Sequence, residues 1–227
     1  MSKMTQIRSA RLVGTELPAL TVSPADALND LLAGNRRFVD GESQHSDGDT
    51  SRRKELVGGQ HPPTAILSCS DSRVPPEIVF DRGIGDLFIV RNAGNVAGPL
   101  ELESLHYAVV ALRTRLIVVL GHTNCGAVTA TLAGDTSDIP ETARDIHPVV
   151  EKSKAMPSDP VENAIAENVR RMVEKLSTWK ALAPTIERGE IRVVGAIYHL
   201  DTGRVLLIDG EGGQPSPLIG DGASKSH

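Results

Sequence analysis

The sequence predicts an α/β fold: a mostly parallel central sheet with flanking helices, a C-terminal hairpin strand and an N-terminal helical arm. Two observations predict it. Short apolar runs recur at residues 64–69, 86–90, 115–120 and 191–198, and helical stretches separate them at about 99–113, 124–133 and 160–188. Strands that are apolar along their whole length, spaced by helices, suit a parallel sheet covered on both faces.

The elements follow in order. Residues 1–22 show no clear period and read as an arm. Ser23-Pro24-Ala25-Asp26 is a helix start, a capping residue followed by proline at the first helical position. Ala27, Leu28, Leu31, Leu32 and Phe38 carry that helix to about Val39. Residues 40–50 are polar and read as loop, and a short helix from Ser51 to Val57 stops at Gly58-Gly59. The last two strands, 191–198 and 203–208, are joined by Asp201-Thr202-Gly203, a turn signal for a hairpin. Residues 210–227 are rich in Gly, Pro and Ser and read as a flexible tail. The expected organisation is thus an arm over 1–22, one α/β domain over 23–209 and a tail over 210–227.

Composition narrows the function. With 40% hydrophobic and 23% charged residues in 227, the chain is ordinary for a globular protein. At 3% aromatics, its core must consist mostly of Val, Ile, Leu and Ala. The net charge of -5, without a basic cluster interleaved with aromatics, disfavours a nucleic-acid partner. No apolar run approaches the roughly 20 residues that cross a bilayer. Lys3, Arg8 and Arg11 are not followed by an apolar stretch, so no secretory signal is read and the cytoplasm is the expected compartment. There, two cysteines with a histidine close to one of them suit a metal better than a disulfide.

The chemistry sits at strand ends. Cys69 ends the first run; His122 and Cys125 follow the third, after Gly121. Sites in open α/β sheets form beyond the carboxyl ends of strands. If the two strands are neighbours, two thiolates and an imidazole can surround one ion, and three protein ligands leave zinc a fourth position for water. The residues alone leave a second reading open, since a buried cysteine is usually an inert small hydrophobe. Ser70-Asp71-Ser72-Arg73 adds a carboxylate and a guanidinium, either a solvated surface pair or a dyad in which Arg73 holds Asp71 beside the metal. Two glycine patterns are set aside. Gly121–Gly126 lacks the Lys and Ser/Thr of a phosphate loop, and Gly83-Ile84-Gly85 precedes a strand rather than a helix.

Three segments carry a resemblance. Cys69-Ser70-Asp71-Ser72-Arg73-Val74-Pro75, Val90-Arg91-Asn92-Ala93-Gly94-Asn95 and Gly121-His122-Thr123-Asn124-Cys125-Gly126 closely resemble the signature segments of β-class carbonic anhydrases, with similarity over about residues 24–208. The resemblance implies a zinc lyase that reversibly hydrates carbon dioxide to bicarbonate and a proton by attack of a zinc-bound hydroxide. It implies Zn2+ held by Cys69, His122 and Cys125, with Asp71 and Arg73 as the catalytic dyad. It implies Gln60, Phe88, Tyr107 and Gly126 as substrate-binding positions, in a cleft at the interface of a homodimer or homotetramer. By this likeness Gln60 reaches substrate from the partner subunit, and Phe88 and Tyr107 form an apolar wall. Where some members carry a Trp of a regulatory bicarbonate pocket, this chain has Ile66; Arg91 and Tyr198 match the pocket's other two parts. His199 stands where the family usually has an acidic residue.

Two thiolates neutralise the zinc charge, so the water should be less acidic than on three histidines, and Asp71 is expected to orient it. In a closed low-pH state Asp71 would leave Arg73 and become a fourth ligand. The alternatives are a carbonyl sulfide or carbon disulfide hydrolase on the same scaffold, and a non-catalytic zinc-stabilised scaffold or sensor with Asp71 as a permanent ligand.

Overall fold

The computed structural model describes residues 22–44 and 50–208. The arm expected over 1–22, apart from Val22, and the tail over 210–227 lie outside the described residues. Among the described residues the sheet has five strands: β1 Thr64–Cys69, β2 Leu87–Asn92, β3 Leu116–His122, β4 Arg192–Tyr198 and β5 Val205–Ile208. Their order is β2-β1-β3-β4-β5. The first four are parallel and β5 runs antiparallel to β4. β1 and β3 are buried at every residue, as the unbroken apolar runs require of strands in the middle of a two-sided sheet.

Eight helices are described: α1 Pro24–Asp40, α2 Thr50–Glu55, α3 Pro76–Val79, α4 Pro99–Ala111, α5 Gly126–Ala133, α6 Pro140–Ser153, α7 Pro160–Thr178 and α8 Ala183–Glu187. α1 starts as the sequence predicts. The Ser23 hydroxyl accepts the Asp26 N–H, Pro24 occupies the first turn, and Gly41 ends the helix in the left-handed region at φ 74°. Its apolar stripe, Ala27, Leu28, Leu31 and Leu32, packs on one sheet face with Ile66, Val118, Leu120, Val79 and Phe80. The opposite face holds the larger core, where Ala65, Leu67, Ile117 and Val119 meet Leu105 of α4, Ile146 of α6 and Ile165, Val169 and Met172 of α7.

Asn35 locks the first face. Its amide donates to the Val79 and Gly203 carbonyls at 3.0 and 2.9 Å, and its oxygen accepts the Val205 N–H at 2.9 Å. One buried side chain thus ties α1 to the end of α3 and to the hairpin entering β5.

Several boundaries differ from expectation. β2 runs two residues further, to Asn92, and β3 continues through Gly121 and His122, so His122 is the last residue of the strand rather than a residue after it. β5 begins at Val205, because His199 N–H bonds to the Arg204 carbonyl and Gly203 N–H to the His199 carbonyl, leaving 199–204 in the turn. The helical stretch 160–188 is two helices, broken where Trp179 turns extended. α6 was not anticipated. Its buried positions Ala143, Ile146, Val150 and Ser153 have a helical period, but Pro148 inside it reads as a breaker.

The long helix α7 lies close to the sheet because two strand positions have no side chain. A Cβ on Gly195 would come within 2.8 Å of Val169 Cγ1, and one on Gly121 within 2.6 Å of Val169 Cγ2. Valine has one strongly preferred rotamer in a helix and cannot turn aside freely. Gly195→Val should therefore push α7 outward and cost about 2 kcal/mol, a loss of roughly 4–8 °C in Tm for a domain of this size. A thermal melt checks this; a variant that melts with the parent would refute the close approach.

Candidate metal centre

Strand order builds the centre. β1 and β3 are adjacent and parallel, with Ser68 opposite Leu120, so Cys69 and His122 emerge from neighbouring carboxyl ends. Cys125 returns to them through a tight turn. Asn124 adopts φ 55°, a left-handed conformation that asparagine tolerates better than most residues, and Cys125 then precedes the first residue of α5. The turn rests on β4. Thr123 N–H donates to the Tyr198 carbonyl and Leu200 N–H to Thr123 Oγ1, both at 3.0 Å.

The two Sγ atoms and a His122 ring nitrogen lie within 4.8 Å of one another. All three residues are buried and both cysteines are free thiols. His122 Nδ1 is 2.9 Å from the Thr123 carbonyl, which makes it the protonated nitrogen. The other nitrogen, Nε2, is buried and has no hydrogen-bond partner among the described residues. Its nearest acid, Asp71 Oδ2, is 3.9 Å away, too far for a hydrogen bond.

The sulfur electrostatics point the same way. The Cys125 thiol donates to Cys69 and, with the Gly94 N–H, holds Cys69 well below the ordinary thiol pKa. The Cys69 thiolate, together with burial, pushes Cys125 far up. One proton is thus trapped between two sulfurs that cannot both ionise side by side. A divalent cation removes that conflict. Two sulfurs and an imidazole lone pair, gathered in a buried corner, are a donor set that fits zinc.

Asp71 lies beside the trio but outside it. Its carboxylate accepts three hydrogen bonds from Arg73, from the backbone N–H and Nε at 2.9 Å each and from Nη2 at 2.7 Å. Arg73 Nη2 also reaches the Asn124 carbonyl at 3.3 Å, which ties the dyad to the turn carrying Cys125. Asp71 as a permanent fourth ligand finds no support in this geometry. Arg91 directs its guanidinium to the carbonyls of Cys69, Asp71 and Val74, and so braces the turn. Ile66 and Tyr198 sit together in the apolar core of the α1 face. Gly126 opens α5, with nothing within 4 Å of where its Cβ would stand.

The other expected site residues are not beside this trio. Phe88 pairs with Ala65, four residues before Cys69, which is about 13 Å down the strand. Its ring meets that of Tyr107 at 6.4 Å. Gln60 is exposed and precedes β1, at the opposite end of the sheet from the trio.

The Arg73 guanidinium lowers the Asp71 carboxyl to about 2. A depressed acid contributes stability that is complete above its ordinary pKa and is lost as pH falls through the lowered one. The pair should therefore hold down to about pH 4 and break between there and pH 2. A carboxyl NMR titration of the metal-free protein should give an Asp71 midpoint below 3 that rises in Arg73→Ala. An ordinary midpoint in the parent would contradict the dyad.

Comparison with known proteins agrees with the geometry. A family model described as carbonic anhydrase matches residues 64–205. Carbonic anhydrase 2 of Mycobacterium tuberculosis is 39% identical over 194 residues, covering 82% of this chain and 94% of that protein. The carbonic anhydrase of Mycolicibacterium smegmatis is 40% identical over 192 residues, covering 82% and 93%. Among solved structures, the β-carbonic anhydrase CcaA superposes with a TM-score of 0.64 at 31% identity, covering 81% of this chain and 95% of that one. With its sheet order, its clustered cysteines and histidine and these likenesses together, the chain belongs to the β-carbonic anhydrase family.

Proposed function

We propose that this protein catalyses the reversible hydration of carbon dioxide to bicarbonate and a proton, with Zn2+ held by Cys69, His122 and Cys125. The observation that carries the proposal is the buried, unpartnered Nε2 of His122 facing two thiols on this family's scaffold. Zinc bound there supplies the Lewis acidity that makes water a nucleophile near neutral pH.

The chain's own residues do the rest. Asp71, kept ionised and turned by Arg73, offers an acceptor beside the trio that takes the nucleophile's hydrogen bond and orients its lone pair. The three bonds to Arg73 would keep the Asp71 carboxylate from becoming a further ligand to an ion held by the trio. Gly126, without a side chain, leaves room for a small linear substrate next to Cys125.

Gln60, Phe88 and Tyr107 serve the site of a second copy. Within one chain they lie toward the wrong end of the sheet, as the strand register indicates. The surface around them favours self-association. Leu100, Tyr107 and Val110 form an exposed stripe on α4, and β2 is an edge strand beside it. We assign the catalytic unit to residues 23–209 of a cytoplasmic homo-oligomer. Among the described residues no helix is long and apolar enough to cross a membrane.

Purified protein should contain one zinc per chain and hydrate carbon dioxide in stopped-flow measurements, and a strong chelator should remove both. Cys125→Ala should lose zinc and turnover together; full zinc content in that variant would exclude Cys125 as a ligand. Asp71→Asn should keep its zinc and lose roughly 100-fold in kcat/KM, the range expected for a proton-handling group. Unchanged turnover would remove Asp71 from the mechanism. Val110→Glu should yield monomers by light scattering that retain zinc but turn over poorly. Fully active monomers would refute a site completed by a second copy.

A further inference from the structure

We infer that Asn168, a buried residue of α7, is a positioning residue for Cys69, acting through the main chain of Gly94. The inference rests on Cys69 being a metal ligand. The connection is made of two hydrogen bonds. Asn168 Nδ2 donates to the Gly94 carbonyl at 2.8 Å, and the Gly94 N–H donates to Cys69 Sγ at 3.4 Å. Both polar groups of one glycine are thus committed, one to the helix and one to the sulfur.

The surroundings leave that glycine little freedom. It adopts φ 74°, and a Cβ there would stand 2.7 Å from Ile146 Cδ1 and 3.4 Å from Ala127 Cβ. Gly94 is therefore wedged against α6 and α5 while Asn168 holds it from α7. The loop closes on itself through Asn92, whose side chain bonds both the N–H and the carbonyl of Val96. One helical turn beyond Asn168, Met172 Sδ accepts the Ala97 N–H at 3.1 Å. α7 grips the loop at two points, and the aim of the Gly94 N–H follows from where the helix sits.

Asn168 is a costly choice for packing alone. It is 1% exposed, and its Oδ1 has no hydrogen-bond partner among the described residues. An apolar residue of similar size would avoid that desolvation cost. What the amide adds is a donor to Gly94, and through it a fixed N–H on the sulfur. Such a bond draws charge from a thiolate and sets its direction, the two means by which outer partners tune a metal ligand.

The test uses the full chain loaded with cobalt(II) in place of zinc, alongside zinc affinity measured against a chromophoric chelator. Asn168→Ala and Asn168→Leu both remove the donor, the first leaving a cavity and the second keeping the volume. In both, the thiolate-to-cobalt absorption band should move to longer wavelength, because a thiolate freed of its N–H gives up charge more easily. The zinc Kd should rise roughly tenfold, the lower end for loss of an outer partner. Leu176→Ala, on the same helix and fully buried, should lower Tm but keep the parent's band and Kd. Folded Asn168 variants with the parent's band and Kd would overturn the inference, as would a Leu176→Ala that shifts both equally. A parent lacking the band would instead overturn Cys69 as a ligand. If neither Asn168 variant folds, the parent loaded with an NMR-active cadmium isotope decides. Coupling from the metal to the Gly94 amide proton, together with slowly exchanging Asn168 side-chain amide protons, supports the relay; absence of either overturns it.

Discussion

Two thiols and an imidazole buried within 4.8 Å of one another pose an electrostatic problem that protein atoms alone do not solve. Bringing both sulfurs to the charged state side by side in a poorly solvated corner costs more than either could recover. Without a cation one sulfur keeps its proton at the expense of the other. The imidazole cannot help, because its free nitrogen has no proton to give once the other nitrogen bonds to the Thr123 carbonyl. A divalent ion satisfies all three groups at once. The rest of the site is arranged around that demand: adjacent parallel strands to bring Cys69 and His122 together, a left-handed Asn124 to return Cys125, and an Asp71 kept to one side by Arg73.

The dyad answers a second electrostatic demand. A carboxylate next to a dication would readily become a ligand and close the open position. Three hydrogen bonds from one arginine keep it ionised yet occupied elsewhere, and the further bond to the Asn124 carbonyl links that restraint to the turn that carries a ligand. Arg91 contributes without touching the trio, by gathering the carbonyls of the 69–74 turn. It extends from β2, the strand paired with β1, so the brace depends on sheet pairing.

Packing reaches the centre through α7. Glycines at 121 and 195 let that helix approach β3 and β4, and the depth at which it settles sets where Asn168 and Met172 meet the loop after β2. A hole in the sheet surface, a helix position and the direction of one backbone N–H are consecutive links of one chain of contacts. On the other face, Asn35 joins α1, α3 and the hairpin.

Much of this was legible in the sequence. The run Thr64–Cys69 matched its strand at both ends, because a central strand covered on both faces is built mainly of apolar and small residues. The three ligand candidates stood out because polar residues that end such runs have few structural reasons to be there. Other features were hidden for physical reasons. Pro148 masked a helix held by tertiary burial, and α3 is too short to show a period. Asn168 looked like any polar residue on an amphipathic helix, since nothing local distinguishes an amide aimed at a distant carbonyl from one in solvent. By itself the sequence determined the fold class and the candidate ligands through local patterns of polarity and residue type, and it offered Asp71 and Arg73 as a dyad only through the likeness of the 69–75 segment to a family signature. The tertiary structure alone decided which strands are neighbours, that Gln60 and Phe88 lie toward the far end of the sheet from the trio, and which buried donors meet the sulfur. Those are distances between segments far apart along the chain, and only packing sets them.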